Sequence, residues 1–144
     1  MNRNAVAWLL LVTAVAFHVF DETVTDFLPF YNQFVISLRE RLGFFPAPTF
    51  SFGVWLGGLI AAIILGYALT LVVARGGKII RAITLVLGVL MVMNGLLHLF
   101  TSVYFGRISP GMWSSPFLIA AAAFVIIQGI KGDWKGKHLQ ENHS

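Results

Sequence analysis

Three stretches of this chain carry no formal charge over a length that can cross a bilayer. They are Phe52–Ala74, Ala82–Phe105 and Met112–Ile130. A spanning helix needs about 20 apolar residues. In hydrocarbon, a backbone is satisfied only in a helix or a closed barrel. Barrel strands alternate apolar and polar residues, and these stretches do not. The chain is only 11% charged, against about 25% in a soluble domain, which points the same way. A soluble fold is therefore excluded. With no cysteine, disulfides and thiolate metal sites are excluded as well.

A fourth apolar stretch, Ala5–Phe20, is interrupted only by His18. Up to Phe17 it has signal-peptide length, with "AVA" at 14–16 as a small-x-small site. Read as a span, it must extend to near Thr25. The expected architecture is then all-α: an integral membrane four-helix bundle with spans over about 5–25, 52–74, 80–105 and 112–130. It forms one domain over 1–134, followed by a polar tail at 135–144 that holds His138 and His143.

Loop charges orient the bundle. Arg3 lies before the first span. Four acids and two arginines lie in the segment from Asp21 to Ser51. Arg75, Lys78 and Arg81 lie between the second and third. Arg107 alone follows the third, and three lysines with one Asp follow the fourth. By the positive-inside rule both termini are cytoplasmic, in a cell or inner membrane of bacterial type. The net charge of +4 is small, and no nucleic-acid partner is expected. The bilayer lipids are the expected surroundings.

The acidic outer segment is patterned. Phe30, Phe34 and Leu38 recur at i+4, joined by Val35 and Leu42, with Arg39, Glu40 and Arg41 at the polar end. Pro29 suits a first helical turn, and Thr25 or Asp26 an N-cap. The spacing predicts an amphipathic helix over 29–42, lying in the interface between spans 1 and 2. On the second span, Gly53, Gly57 and Ala61 have small-xxx-small spacing, which predicts close helix packing.

The polar residues fall at one depth. His18, Asp21 and Glu22 are i, i+3 and i+4, so they share a helix face. Leu11, Ala14 and Val15 continue that face inward. His18 is seven residues from Thr25, and His98 is seven residues from Phe105. At 1.5 Å per residue, both imidazoles lie roughly 10 Å below the same surface. Asn94 is one turn deeper than His98, and Arg107 lies just above. Intramembrane polar groups face a bundle interior or a wet cavity, and they mark functional sites. The bland alternatives are interfacial hydrogen bonding by the histidines, loop ion pairs of the acids with Arg39 or Arg107, and Asn94 as interhelical glue.

"HVFDE", "NGLLH" and "RISPG" resemble the HxxEE, NxxxH and RxxPG motifs of the HXXEE domain family of integral membrane proteins. They place those motifs on His18, Asp21 and Glu22, on Asn94 and His98, and on Arg107, Pro110 and Gly111. The likeness runs from span 1 to the start of span 4. Asp21 stands where the family motif has its first Glu, one methylene shorter. The resemblance implies a site, not a reaction. A looser likeness is to the emopamil-binding sterol isomerases, which also carry His and Glu on facing membrane helices.

Three kinds of chemistry suit this set. His18, Glu22 and His98 form a His₂-carboxylate group that could hold a divalent metal such as zinc. Metal-bound water could then attack an ester, amide or phosphate of a lipid-like substrate. Asp21 would be a general base or support a ligand. Asn94 would orient His98, and Arg107 would hold an anionic group or a developing oxyanion. Without a metal, the same carboxylate and imidazoles could move a proton, as in a double-bond isomerase. A third reading is non-enzymatic: lipid binding, or transport, for which four spans would need a homo-oligomer. Phosphate-loop, dinucleotide and serine-elbow motifs are not found.

Overall fold

A computed structural model describes residues 2–131. The expected tail at 135–144, with His138 and His143, lies outside the described residues. Those described form helices and connections without a strand: α1 (Arg3–Val24), α2 (Phe27–Leu42), α3 (Phe52–Ala68), α4 (Thr70–Arg75), α5 (Lys78–Phe105) and α6 (Ser115–Lys131). Leu69 is only a slight break, so α3 and α4 make one rod over Phe52–Arg75. Three helices are long and apolar enough to cross a membrane: Arg3–Val24, Phe52–Arg75 and Lys78–Phe105. α6 is apolar but has only 17 residues. It starts three residues later than the expected span, because residues 110–114 are turns.

α1 is the organising helix. Asn2 caps it, accepting from the Ala5 N–H at 2.9 Å and donating to the Ala74 carbonyl at 2.8 Å. One face of α1 packs on α6, where Ala7 and Leu11 meet Leu118, Ala122 and Val125. Another face packs on the α3–α4 rod, where Trp8 and Val12 meet Val73. The Trp8 indole donates to the Gly66 carbonyl at 2.7 Å. A Cβ on Gly66 would stand 3.0 Å from the Val12 side chain, so Val12 would have to give way to any side chain there.

α5 packs chiefly on α6. The contact is again made by glycine. A Cβ on Gly95 would lie 2.6 Å from Ile119 and 3.2 Å from the Ser115 carbonyl, and one on Gly129 would lie 2.6 Å from Leu85. Between apolar helices in lipid, such van der Waals contact supplies the attraction that water supplies elsewhere. The small residues of the second span behave otherwise. Nothing stands within 4 Å of a Cβ on Gly53 or Gly57, so the expected close packing at this motif does not occur within the chain. Only Gly66 and Val73 of the rod Phe52–Arg75 are buried.

α2 begins two residues before Pro29 and buries only Leu28 and Val35. Asp26 precedes it in a left-handed conformation (φ 58°) and makes no capping bond. Asp26 thus holds the expected N-cap position without a side-chain bond, and the Thr25 hydroxyl bonds to the Asp21 carbonyl. The segment 43–51 folds back along α2. Tyr31 donates to the Pro48 carbonyl, and Asn32 exchanges two hydrogen bonds with Phe50. Arg39 donates to the Phe45 and Ala47 carbonyls.

Gly95→Ala should lower the thermal stability of detergent-solubilised protein by about 1–3 kcal/mol, the usual cost of overpacking. Gly57→Ala, which enters open space, should be neutral or stabilising by up to about 1 kcal/mol. A thermal melt of both variants checks this contrast.

Candidate metal centre

His18, Asp21 and Glu22 are all buried on one face of α1, and His98 is buried on α5. The two imidazole rings stand edge to face with centroids 4.8 Å apart. Glu22 Oε1 lies 3.4 Å from His18 Nε2 and 3.1 Å from His98 Nε2. These are the only ion-pair contacts among the described residues. Neither Arg39 nor Arg107 pairs with the acids of α1.

The outer nitrogen of each ring is committed elsewhere. His98 Nδ1 donates to the Pro110 carbonyl. A carbonyl can only accept, so this nitrogen carries the proton. His18 Nδ1 lies 2.7 Å from the Ser114 hydroxyl, which donates at 2.7 Å to Asp21 Oδ2. The bond to the carboxylate is the charge-assisted one and takes the hydroxyl hydrogen. Ser114 therefore accepts from His18 Nδ1–H. In their neutral forms both imidazoles would turn a bare Nε2 toward the same carboxylate oxygen. One further contact reaches this face: the Asn94 amide nitrogen donates to His18 Nε2 at 3.0 Å.

This arrangement revises several expectations. Asn94 bonds to His18, not to His98, whose free nitrogen faces Glu22. Asp21 takes the supporting place of the two expected for it. Its Oδ2 accepts from both the backbone N–H and the hydroxyl of Ser114, so it orients His18 through Ser114. Arg107 is exposed. Its guanidinium lies 5.8 Å from the Phe105 ring centroid, and no contact joins it to the His–Glu group.

The "RISPG" loop contributes backbone rather than its arginine. Pro110 supplies the acceptor for His98. Gly111 has φ 78°, and a Cβ there would lie 2.8 Å from His98 and 3.1 Å from His18. Only glycine fits both the conformation and the space. Its N–H donates to Thr25 Oγ1, and its carbonyl accepts from the hydroxyl of Ser115. Ser102 and Ser109 both donate to the His98 carbonyl. Ser114 escaped the sequence reading. The run "SSP" before the last helix reads as a helix start, and nothing in it signals that the hydroxyls point inward.

The ligand atoms of His18, Glu22 and His98 lie within 4.8 Å of one another and could hold a metal ion. Around a tetrahedral ion bound at about 2.0–2.1 Å, neighbouring ligand atoms stand about 3.3 Å apart. The two measured separations, 3.1 and 3.4 Å, bracket that value.

Two cavities approach the group. One, of about 340 Å³, reaches His98 and Asn94 between α2 and α5, and is walled by Phe27, Phe30, Phe34 and Phe105. A smaller one, of about 230 Å³, reaches Glu22 past Thr23, Asp26 and Asn32.

Apolar helices that can cross a bilayer, closed at one end around a buried His₂-carboxylate group, define a membrane-type helical protein with a candidate cation site. Residues 8–126 match the family described as "Protein of unknown function with HXXEE motif", and the chain belongs to that family. No curated protein matches it, nor does any solved structure.

Ser114→Ala removes a donor from buried Asp21 and the acceptor of His18. It should cost about 1–3 kcal/mol, measured by thermal unfolding. Gly111→Ala should be at least as damaging, since both imidazoles must move.

Proposed function

We propose that the chain is a membrane-embedded, metal-dependent hydrolase acting on a lipid-like substrate, with zinc held by His18, Glu22 and His98. The observation that carries this reading is the approach of two Nε2 atoms to one carboxylate oxygen, with each Nδ1 fixed by a separate partner. A carboxylate oxygen 3.4 and 3.1 Å from two unprotonated imidazole nitrogens is repelled by both unless a cation or proton lies among them. Histidine ligands of metals commonly donate their other nitrogen to a fixed acceptor in this way.

In this reading the chain spans the membrane four times, with both termini cytoplasmic, α2 in the interface and the centre near the outer leaflet. A zinc ion held there would polarise the scissile carbonyl or phosphoryl group and lower the pKa of a bound water. The chain's residues supply the rest. Asp21 and Ser114 hold His18, and Pro110 holds His98. Asn94 can present its amide oxygen by rotation, exchanging donor for acceptor. The aromatic cavity binds the apolar part of the substrate, and the cavity at Glu22 admits water. Hydrolysis adds water across the bond: hydroxyl to the acyl or phosphoryl centre, proton to the leaving group.

A metal-free proton transfer, with Glu22 between two imidazoles, is the second reading. Its support is that a single shared proton would also relieve the repulsion at Glu22 Oε1.

Elemental analysis of purified protein separates the two. About one zinc per chain is expected for a three-ligand site. His18→Ala, His98→Ala and Glu22→Gln should each lose it, whereas Arg107→Gln should keep it. Folded wild type that takes up no divalent metal, even after incubation with zinc, would sink the metal reading.

A further inference from the structure

Arg107 lies apart from the histidines, but it is not isolated. With Arg41, Gln33 and Tyr104 it borders a cavity of about 430 Å³. Phe30, Phe34 and Phe105 line this cavity and also wall the one that reaches His98 and Asn94. Phe30 and Phe105 meet edge to face at 6.4 Å. A polar chamber and an apolar chamber thus share one aromatic partition, and the apolar chamber ends at the candidate metal centre.

The two guanidiniums differ from that of Arg39. Arg39 is occupied by two backbone carbonyls. Neither Arg41 nor Arg107 has a carboxylate within ion-pair distance among the described residues, not even neighbouring Glu40. Two unpaired cations beside an apolar slot complement an amphiphile with an anionic head. Arginine forks match phosphate oxygens in particular.

We propose that these two cavities form one binding site for an anionic phospholipid of the surrounding leaflet. Arg41 and Arg107 hold its phosphate, and the chain-bearing part lies past Phe30, Phe34 and Phe105 toward His98. This rests on the lipid-like substrate proposed above, but not on the metal. It assigns Arg107 to substrate binding at a distance from the reacting group, rather than to an oxyanion.

The test uses the full chain in nanodiscs of equal phosphatidylcholine and phosphatidylglycerol. Native mass spectrometry then counts the lipid retained after extraction. Wild type should retain phosphatidylglycerol preferentially. The double variant Arg41→Gln/Arg107→Gln should lower that preference roughly tenfold, the scale of losing a charged hydrogen bond. Both side chains are exposed, so melting temperature and zinc content should stay unchanged. A double variant with the wild-type preference would overturn the proposal, as would a wild type that shows none. Soluble glycerol 1-phosphate displacing the lipid as well as short-chain phosphatidylglycerol does would overturn the two-part site. An arginine-dependent preference in a protein that binds no zinc would uphold the headgroup site while the metal reading fails.

Discussion

One carboxylate oxygen, Glu22 Oε1, stands between the Nε2 atoms of His18 and His98, and the end of the bundle is arranged around it. In an apolar chain this is the most demanding contact to maintain. Buried polar groups cost free energy unless they are satisfied, and partly satisfied networks are worse than apolar packing. Pro110 and Ser114 take the outer nitrogens of the two rings, and Asp21 holds Ser114 in turn. The inner nitrogens face one carboxylate oxygen, and Asn94 also donates to that of His18.

The helices serve that convergence. α1 and α5 carry the ligands, but each packs chiefly on α6 or on the α3–α4 rod rather than on the other. Their side chains meet over the end of α6, in the space bounded by the loop 106–114. The close crossings at Gly95 and Gly129 draw α5 onto α6, and Leu11 seats α1 on α6 as well. Gly111 then sits against both imidazoles, where any side chain would displace them. The fold sets the separation of the rings through backbone contacts, and polar side chains set only their orientation.

Much of this could be read from residue order. Helical spacing put His18, Asp21 and Glu22 on one face, and equal counts to two helix ends put His18 and His98 at one height. Such counting gives height but not bearing around the bundle axis. Hence Asn94 could be placed near the histidines but not matched to the right one: it lies one turn below His98, yet His18 Nε2 is the nitrogen within its reach. Arg107 was placed just above the histidines, yet it is exposed and faces Phe105. The motif around it works through Pro110 and Gly111, whose functional atoms are a carbonyl and a missing Cβ, neither of which has a periodic signature. The strap 43–51 was illegible for a similar reason. It has no repeat, and it is held by its own carbonyls accepting from Tyr31, Asn32 and Arg39.

The two approaches to the centre differ in chemistry, and this difference constrains any reaction there. The route to His98 is walled by aromatic rings, whereas the route to Glu22 passes Asp26 and Asn32. An apolar reactant and water would then meet at the imidazole–carboxylate group from separate sides. A lone apolar pocket would suit storage of a lipid, and a lone polar one would suit passage of an ion. A buried His₂-carboxylate group between the two suits neither as well. The proposed hydrolysis, or the alternative proton transfer, would draw on both approaches at once.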